Sequence, residues 1–302
     1  MYTRILAPLD GSKTAENVLP FVRSFARNLQ IPVEFFAVVD VVNMARDVYA
    51  AERLFLDSLV EDEARRLGEY LNDVAKNFPV GTVHWRVQPG SPAEAIIDAA
   101  LAEKDALIAM ATHGRSGLNR WLLGSVAEKV LRGASNPLLL VRATESAPQW
   151  SMAALKSVIV PLDGSETAER VLPSAGALAK SLDLEVVLLR VYGIPYGAYS
   201  PGEGLYDAMQ MEKFAASLRD EGSAYLEEKA KALRGRGVKK VSTIVKEGLD
   251  ADEIISLARQ TPDNLIAMCT HGRSGVKRWA LGSVTETVVR HSGDPVLIVR
   301  TA

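Results

Sequence analysis

One domain is written twice in this chain, and that duplication limits the fold more than any other feature. Residues 107–142 and 265–300 align without a gap and agree at 23 of 36 positions, and residues 5–20 and 158–173 agree at 11 of 16. The offset of about 155 residues is far longer than the roughly 20–50 residues of solenoid units. Each copy is therefore a whole domain: residues 1–143, a linker over residues 144–156 that holds Pro148 and Trp150, and residues 157–302. The best-matched stretches are glycine-bearing turns. Pro8-Leu9-Asp10-Gly11-Ser12 returns as Pro161-Leu162-Asp163-Gly164-Ser165, and Thr112-His113-Gly114-Arg115-Ser116-Gly117 as Thr270-His271-Gly272-Arg273-Ser274-Gly275. Matching glycines mean one backbone geometry built twice, which predicts two equivalent sites.

Bulk properties serve mainly to exclude. The chain is 48% hydrophobic and 24% charged, ordinary for a globular protein. A net charge of −2 supplies no electrostatic case for nucleic acid or an anionic membrane. Cys269 is the one cysteine, so no intrachain disulfide can form and no oxidising compartment is implied. No apolar run approaches the roughly 20 residues of a membrane span, and a strand-like run begins at Arg4 with no leader before it. A cytoplasmic location is the expectation.

Within each copy, short apolar runs alternate with longer amphipathic ones. Strands are predicted over residues 4–9, 33–39, 83–88, 106–112 and 137–142, and again over 157–162, 185–192, 241–246, 264–270 and 295–300. Nearly continuous apolar runs such as residues 33–39 suit parallel strands covered on both faces. Helices are predicted over residues 12–28, about 47–77, 91–103 and 125–133. Ser91-Pro92-Ala93-Glu94 reads as an N-cap, a proline at the first helical position and a capping-box glutamate; Asp250 and Glu253 have the same spacing. Strands alternating with helices give an α/β fold, a doubly wound five-stranded parallel sheet in each copy, with ligands outside the carboxyl ends of the strands. The copies diverge most at residues 193–204, which read as a loop, a tolerated insertion rather than a lid; its counterpart, residues 40–46, is shorter.

Two turns per copy carry the candidate chemistry. Asp10 and Asp163 end the first strand of each copy. They either satisfy orphan helix amides together with the following serine, or stand at the mouth of the crevice to meet a ribose, an adenine amine or a metal. Glu16 and Glu166 early in the next helix make that helix start a poor anion site. The other turn runs from the strand ending at Thr112 to Gly124-Ser125, where a helix opens. Glycine lets the backbone approach a ligand, and a helix start presents unpaired amides to phosphate. The competing reading is a capping box, Ser125 with Glu128 and Ser283 with Glu286, which occupies the hydroxyl and adds negative charge.

The run from Met110 through Gly114 and Gly124 to Ser125 and Val126 closely resembles the nucleotide loop of universal stress proteins, and Pro8-Leu9-Asp10-Gly11-Ser12 resembles that family's first turn. The resemblance covers essentially the whole chain, once per repeat. It implies a tandem universal stress protein with the Rossmann-like fold of the adenine-nucleotide alpha hydrolase-like superfamily and strand order 3-2-1-4-5. The family's nucleotide loop is Gly-x2-Gly-x9-Gly-Ser/Thr. The second and third glycines match Gly114 and Gly124, then Ser125, and in the second copy Gly272 and Gly282, then Ser283. By the same resemblance Pro8, Leu9, Asp10, Val38 and Met110 line one adenosine pocket, and Pro161, Leu162, Asp163, Val191 and Met268 the other. Val126 and Val284 lie beside the phosphate-binding amides. His113, Arg115, His271 and Arg273, within the loop, are counted with them as nucleotide-binding residues. Both copies depart at the first glycine, which is Ala111 in one and Cys269 in the other.

His113 and His271 either contact a phosphate or act as an acid, or simply shape the loop, which is the preferred reading; neither has a carboxylate or second histidine at ligand spacing, so no metal site is expected. Cys269 has no companion thiol and reads as a small buried residue. Neither a nucleophile elbow nor a P-loop lysine is present, so no catalytic residue is assigned. Three functions follow in order of preference. The first is a stress-response module regulated by ATP or another adenine nucleotide. The second is a nucleotide-free interaction protein, its domains paired within the chain or as a homodimer through the last strands. The third is a slow ATP hydrolase, with Asp10 or Asp163 positioning Mg²⁺ or water.

Overall fold

The computed structural model describes residues 2–47, 56–103, 105–112, 123–143, 151–193, 208–270 and 281–300. By internal contact it comprises two compact units, Met1–Ala154 with Pro295–Arg300, and Leu155–Asp294.

In the first unit the chain runs β1 (Arg4–Pro8), a 3-10 turn (Ala15–Val18), α1 (Leu19–Leu29), β2 (Val33–Asp40), α2 (Val41–Asp47) and α3 (Leu56–Lys76). It continues through β3 (Val83–Gly90), α4 (Pro92–Leu101), β4 (Ala106–Thr112), α5 (Ser125–Gly133) and β5 (Leu138–Arg142). The strands are parallel in the order β3-β2-β1-β4-β5, with Ile5 opposite both Val33 and Leu107. Ile5, Leu6, Leu107 and Ile108 are wholly buried, as expected for central strands with helices on both faces.

The second unit repeats the pattern with β6 (Ser157–Pro161), α6 (Glu166–Glu169), α7 (Leu172–Leu182), β7 (Glu185–Tyr192) and α8 (Ala208–Gly235). Then come β8 (Val241–Glu247), α9 (Asp250–Gln260), β9 (Asn264–Cys269) and α10 (Ser283–His291). Its parallel strands lie in the order β8-β7-β6-β9. The last strand, β10 (Val296–Val299), is counted with the first unit, antiparallel to β5 with Leu297 opposite Leu139. The chain is two repeats of the expected doubly wound α/β fold.

Several local expectations need correction. The first predicted helix divides into the 3-10 turn and α1, because Pro20 lacks an N–H and sits in the first turn of a new helix. Residues 41–47 form a helix, since the Asp40 carboxylate accepts from the backbone N–H of Asn43 at 3.1 Å and from its Nδ2 at 2.7 Å. The Ser91 side chain makes no capping bond. Asp250 lies inside its helix, with Leu249 at the cap position, and Glu253 instead pairs with Lys246 at 3.1 Å. The loop read at residues 193–204 and the linker around Pro148 and Trp150 fall largely outside the described residues.

At the far end of the strands, one role is filled by different residues. The Asn136 amide donates to the carbonyls of Ala100 and Glu103 at 3.0 and 3.2 Å, closing the end of α4. The equivalent carbonyls of Ala258 and Thr261 receive the amide of Asn264 at 2.9 and 2.8 Å. By the repeat, Asn264 corresponds to Ala106 and Asn136 to Asp294. Asp294 in turn accepts from Asn264 at 3.1 Å.

Candidate functional site

The Asp-Gly-Ser turns are built alike. Gly11 and Gly164 have φ of +81° and +83°, in the left-handed region that favours glycine. Asp10 Oδ1 accepts from the backbone N–H and hydroxyl of Ser12 at 2.9 and 2.6 Å, and Ser12 Oγ accepts from Ala15 N at 3.1 Å. In the second copy the corresponding distances, through Asp163, Ser165 and Ala168, are 3.0, 2.6 and 3.1 Å. The serine of each turn thus satisfies a helix-start amide, as one reading expected. Behind each turn a tyrosine donates to a glutamate, Tyr70 to Glu16 at 3.2 Å and Tyr225 to Glu169 at 2.9 Å. Burial, reinforced by that carboxylate, raises both phenols above the ordinary tyrosine range.

The second turn corrects the capping-box reading. The cap positions of α5 and α10 are Gly124 and Gly282, in extended conformation, so no side chain caps either helix. Ser125 and Ser283 are already the first helical residues. Glu128 and Glu286 turn away along their helices to Arg132 and Arg290, at 3.2 and 2.9 Å. Among the described residues, each helix therefore opens without a side-chain cap, and the Gly282 N–H of the second is taken by the Thr270 carbonyl at 2.8 Å; a helix start of this kind can accept an anion.

These turns face each other across a cavity at the carboxyl ends of the strands. In the first unit it has a volume of about 460 Å³ and is lined by Pro8, Leu9, Asp10, Val38, Met110, Ala111, Gly124, Ser125 and Val126. In the second it is about 240 Å³, lined by Pro161, Leu162, Asp163, Val191, Met268, Cys269, Gly282, Ser283 and Val284. His113, Gly114, Arg115, His271, Gly272 and Arg273 lie outside the described residues. Ala111 and Cys269 stand where the resemblance asks for glycine, and neither has a positive φ, so the backbone there does not require one. Cys269 is buried at 5% exposure, and burial pushes its thiol up to about 12.

Sequence reasoning missed several lining residues. Asp40, Asn43 and Met44 reach the first cavity because residues 41–47 are helical, and Glu63 and Leu67 reach it from α3. Arg190, Asp250 and Ile254 line the second. The available signal for Arg190 was a charge interrupting the apolar run of β7; nothing comparable marked the others.

The sequence profile described as the universal stress protein family matches residues 1–142 and 154–300. The chain belongs to that family. Its curated relatives each match about half of the chain. Universal stress protein MJ0531 of Methanocaldococcus jannaschii is 33% identical over 145 residues, 48% of this chain and 82% of that protein. A putative universal stress protein of Staphylococcus epidermidis is 34% identical over 151 residues, 50% of this chain and 87% of that protein. A solved universal stress protein from Archaeoglobus fulgidus matches the fold along 100% of both chains, with a TM-score of 0.72 at 21% identity. Among the described residues of this universal stress protein, no helix is long and apolar enough to cross a membrane.

Proposed function

We propose that this universal stress protein is a cytoplasmic regulatory module that binds ATP or another adenine nucleotide, one per repeat. The observation that carries this reading is the uncapped helix start at Gly124 and Gly282, facing an Asp-Gly-Ser turn across a half-apolar cleft, built twice. Phosphates fit against the amides of residues 124–126 and those of Ser283 and Val284, since the Gly282 N–H already donates to the Thr270 carbonyl at 2.8 Å. The nucleoside fits between Asp10, Val38 and Met110, or between Asp163, Val191 and Met268. The residues present suit such a ligand: an apolar wall for a base, a carboxylate for hydroxyls or an amine, and dipole-backed donors for charge. Mg²⁺ would arrive with the phosphates, since no cluster of three metal-ligating side chains forms among the described residues.

The functional domains are residues 1–143 and 157–302 with the linker 144–156, and their pairing within the chain, or between two chains, is the assembly through which a bound nucleotide would act. A ligand at a hundred times its Kd stabilises the native state by about 2.7 kcal/mol. Thermal unfolding in millimolar Mg-ATP is therefore expected to shift upward. No shift, together with no nucleotide released on denaturing the purified protein, would move the reading to a nucleotide-free interaction protein.

A further inference from the structure

Both repeats place a guanidinium beside the glycine of the Asp-Gly-Ser turn, but from different elements. In the first repeat it is Arg66 of α3, whose Nη1 lies 3.7 Å from where a Cβ on Gly11 would stand. In the second it is Arg190 of β7, with Nη1 3.2 Å from the same point on Gly164. The tyrosines bonded to Glu16 and Glu169 register the two helices, Tyr70 with Tyr225, so Arg66 corresponds to Glu221 and Leu67 to Gly222. Strand register, with Ile5 opposite Val33 and Val158 opposite Val186, makes Arg190 the counterpart of Ala37. The exchange is complementary in volume. A Cβ on Gly222 would lie 3.2 Å from Arg190 Cγ, so the glycine makes room for the arginine, where the first repeat has alanine on the strand and leucine on the helix.

The chemistry at the two turns differs as a result. Arg66 is committed to Glu63 by bonds of 2.7 and 2.6 Å, and it is Glu63, not Arg66, that lines the first cavity along with Asp10 and Asp40. Arg190 lines the second cavity, its Nη1 donating to the carbonyl of Leu162, the residue before Asp163. Among the described residues, the first cavity thus presents Asp10, Asp40 and Glu63 with no guanidinium in its lining, and the second presents Asp163 and Asp250 with the Arg190 guanidinium.

We infer that Arg190 is a specificity-determining residue: the second cleft accepts an adenine nucleotide phosphorylated on its ribose, and the first takes only free ribose hydroxyls. This rests on the nucleotide reading above, with the nucleoside end against the Asp-Gly-Ser turn. A carboxylate accepts from ribose hydroxyls and repels a phosphate in their place, whereas a neighbouring arginine accommodates that phosphate through charge-assisted, bidentate bonds.

The test is calorimetric titration with AMP and with adenosine 2′,5′-bisphosphate and 3′,5′-bisphosphate. Gly282→Val leaves the first cleft open, and Gly124→Val leaves the second. The readout is the ratio of bisphosphate to AMP affinity. At least one bisphosphate is expected to show a ratio at least tenfold higher at the second cleft than at the first. Arg190→Ala should lower that ratio at least tenfold and Arg190→Lys should keep most of it. Ala37→Arg with Leu67→Gly should raise it at the first cleft. Equal ratios at the two clefts, or a ratio unmoved by Arg190→Ala, would overturn the inference while leaving nucleotide binding intact. If neither AMP nor ATP bound at either cleft, the nucleotide reading itself would fall and this inference with it.

Discussion

The first cleft and the second share a backbone and differ in what fills it. Both hold an Asp-Gly-Ser turn with the same bonds to within 0.1 Å. Both open a helix at an uncapped glycine, and both brace the turn with a tyrosine–glutamate pair. Around that frame the first cleft is roomier and more acidic, with Asp40, Asn43, Glu63 and Leu67 in its wall. The second is smaller and carries Arg190 and Cys269. The parts kept alike are those that expose backbone amides, and the parts that differ are side chains facing the ligand space. On the nucleotide reading proposed above, that division corresponds to two sites with one mode of anion capture and separate selectivities.

The sharpest way to break the comparison is to close one cleft at a time. Gly124 and Gly282 are extended, at φ −60° and −63°, so valine fits the backbone while its methyl groups cover the helix-start amides. Each variant should lose ATP at its own cleft by about 100-fold, roughly 2.7 kcal/mol, and leave the other cleft unaffected in calorimetry. Affinity retained at both would refute the phosphate assignment.

Next in size, alanine at the turn glycines separates the repeats by stability. A left-handed φ costs an ordinary residue about 1–2 kcal/mol. Gly11→Ala should cost that much in urea unfolding. Gly164→Ala should cost more, because its Cβ also meets the Arg190 guanidinium at 3.2 Å. Equal losses would show that Arg190 is not held against the second turn. The amides at the far end come next. Asn136→Ala and Asn264→Ala should each cost about 1–3 kcal/mol by leaving helix carbonyls unsatisfied. A loss confined to one of them would show that the two asparagines are not equivalent.

The last effect is seen only in alkali. The folded thiol of Cys269, pushed up to about 12 from 9.0, holds its proton where the unfolded chain has lost it. Its stabilising contribution is thus complete below about pH 9 and fades up to about pH 12, by at most about 1.4 kcal/mol per pH unit. Tyr70 and Tyr225 contribute in the same direction, so the measure is the difference between the wild type and Cys269→Ala, which restores the side chain of Ala111. The variant should lose less stability between pH 9 and 11; identical slopes would mean the thiol is not buried in solution.

Much of this was legible in the sequence, for identifiable reasons. The near-continuous apolar runs of β1, β2 and β4 announce central parallel strands, and the paired glycine turns locate both clefts. What escaped depended on side chains at a distance. Ser125 with Glu128 satisfies the capping-box pattern, yet Gly124 takes the cap position and Arg132 draws the glutamate away. Helix α2 has too few residues to show periodicity and is held by Asp40 acting on Asn43. The pairing of Arg190 with Gly222 joins residues on different elements, which no local window reveals.

The exchanged asparagines give the duplication a hereditary consequence. Two copies of so similar a stretch invite unequal crossing-over within the gene, and a crossover between the codons for β4 and the segment before β5 would recombine their halves. One product would carry Ala106 followed by an aspartate at the position of Asp294, leaving the end of α4 with no amide to close it. The reciprocal product would place two asparagines where one fits. Either hybrid repeat is expected to fold less stably than its parents, so an exchange between the two halves would carry a cost set by the asparagine inside each of them.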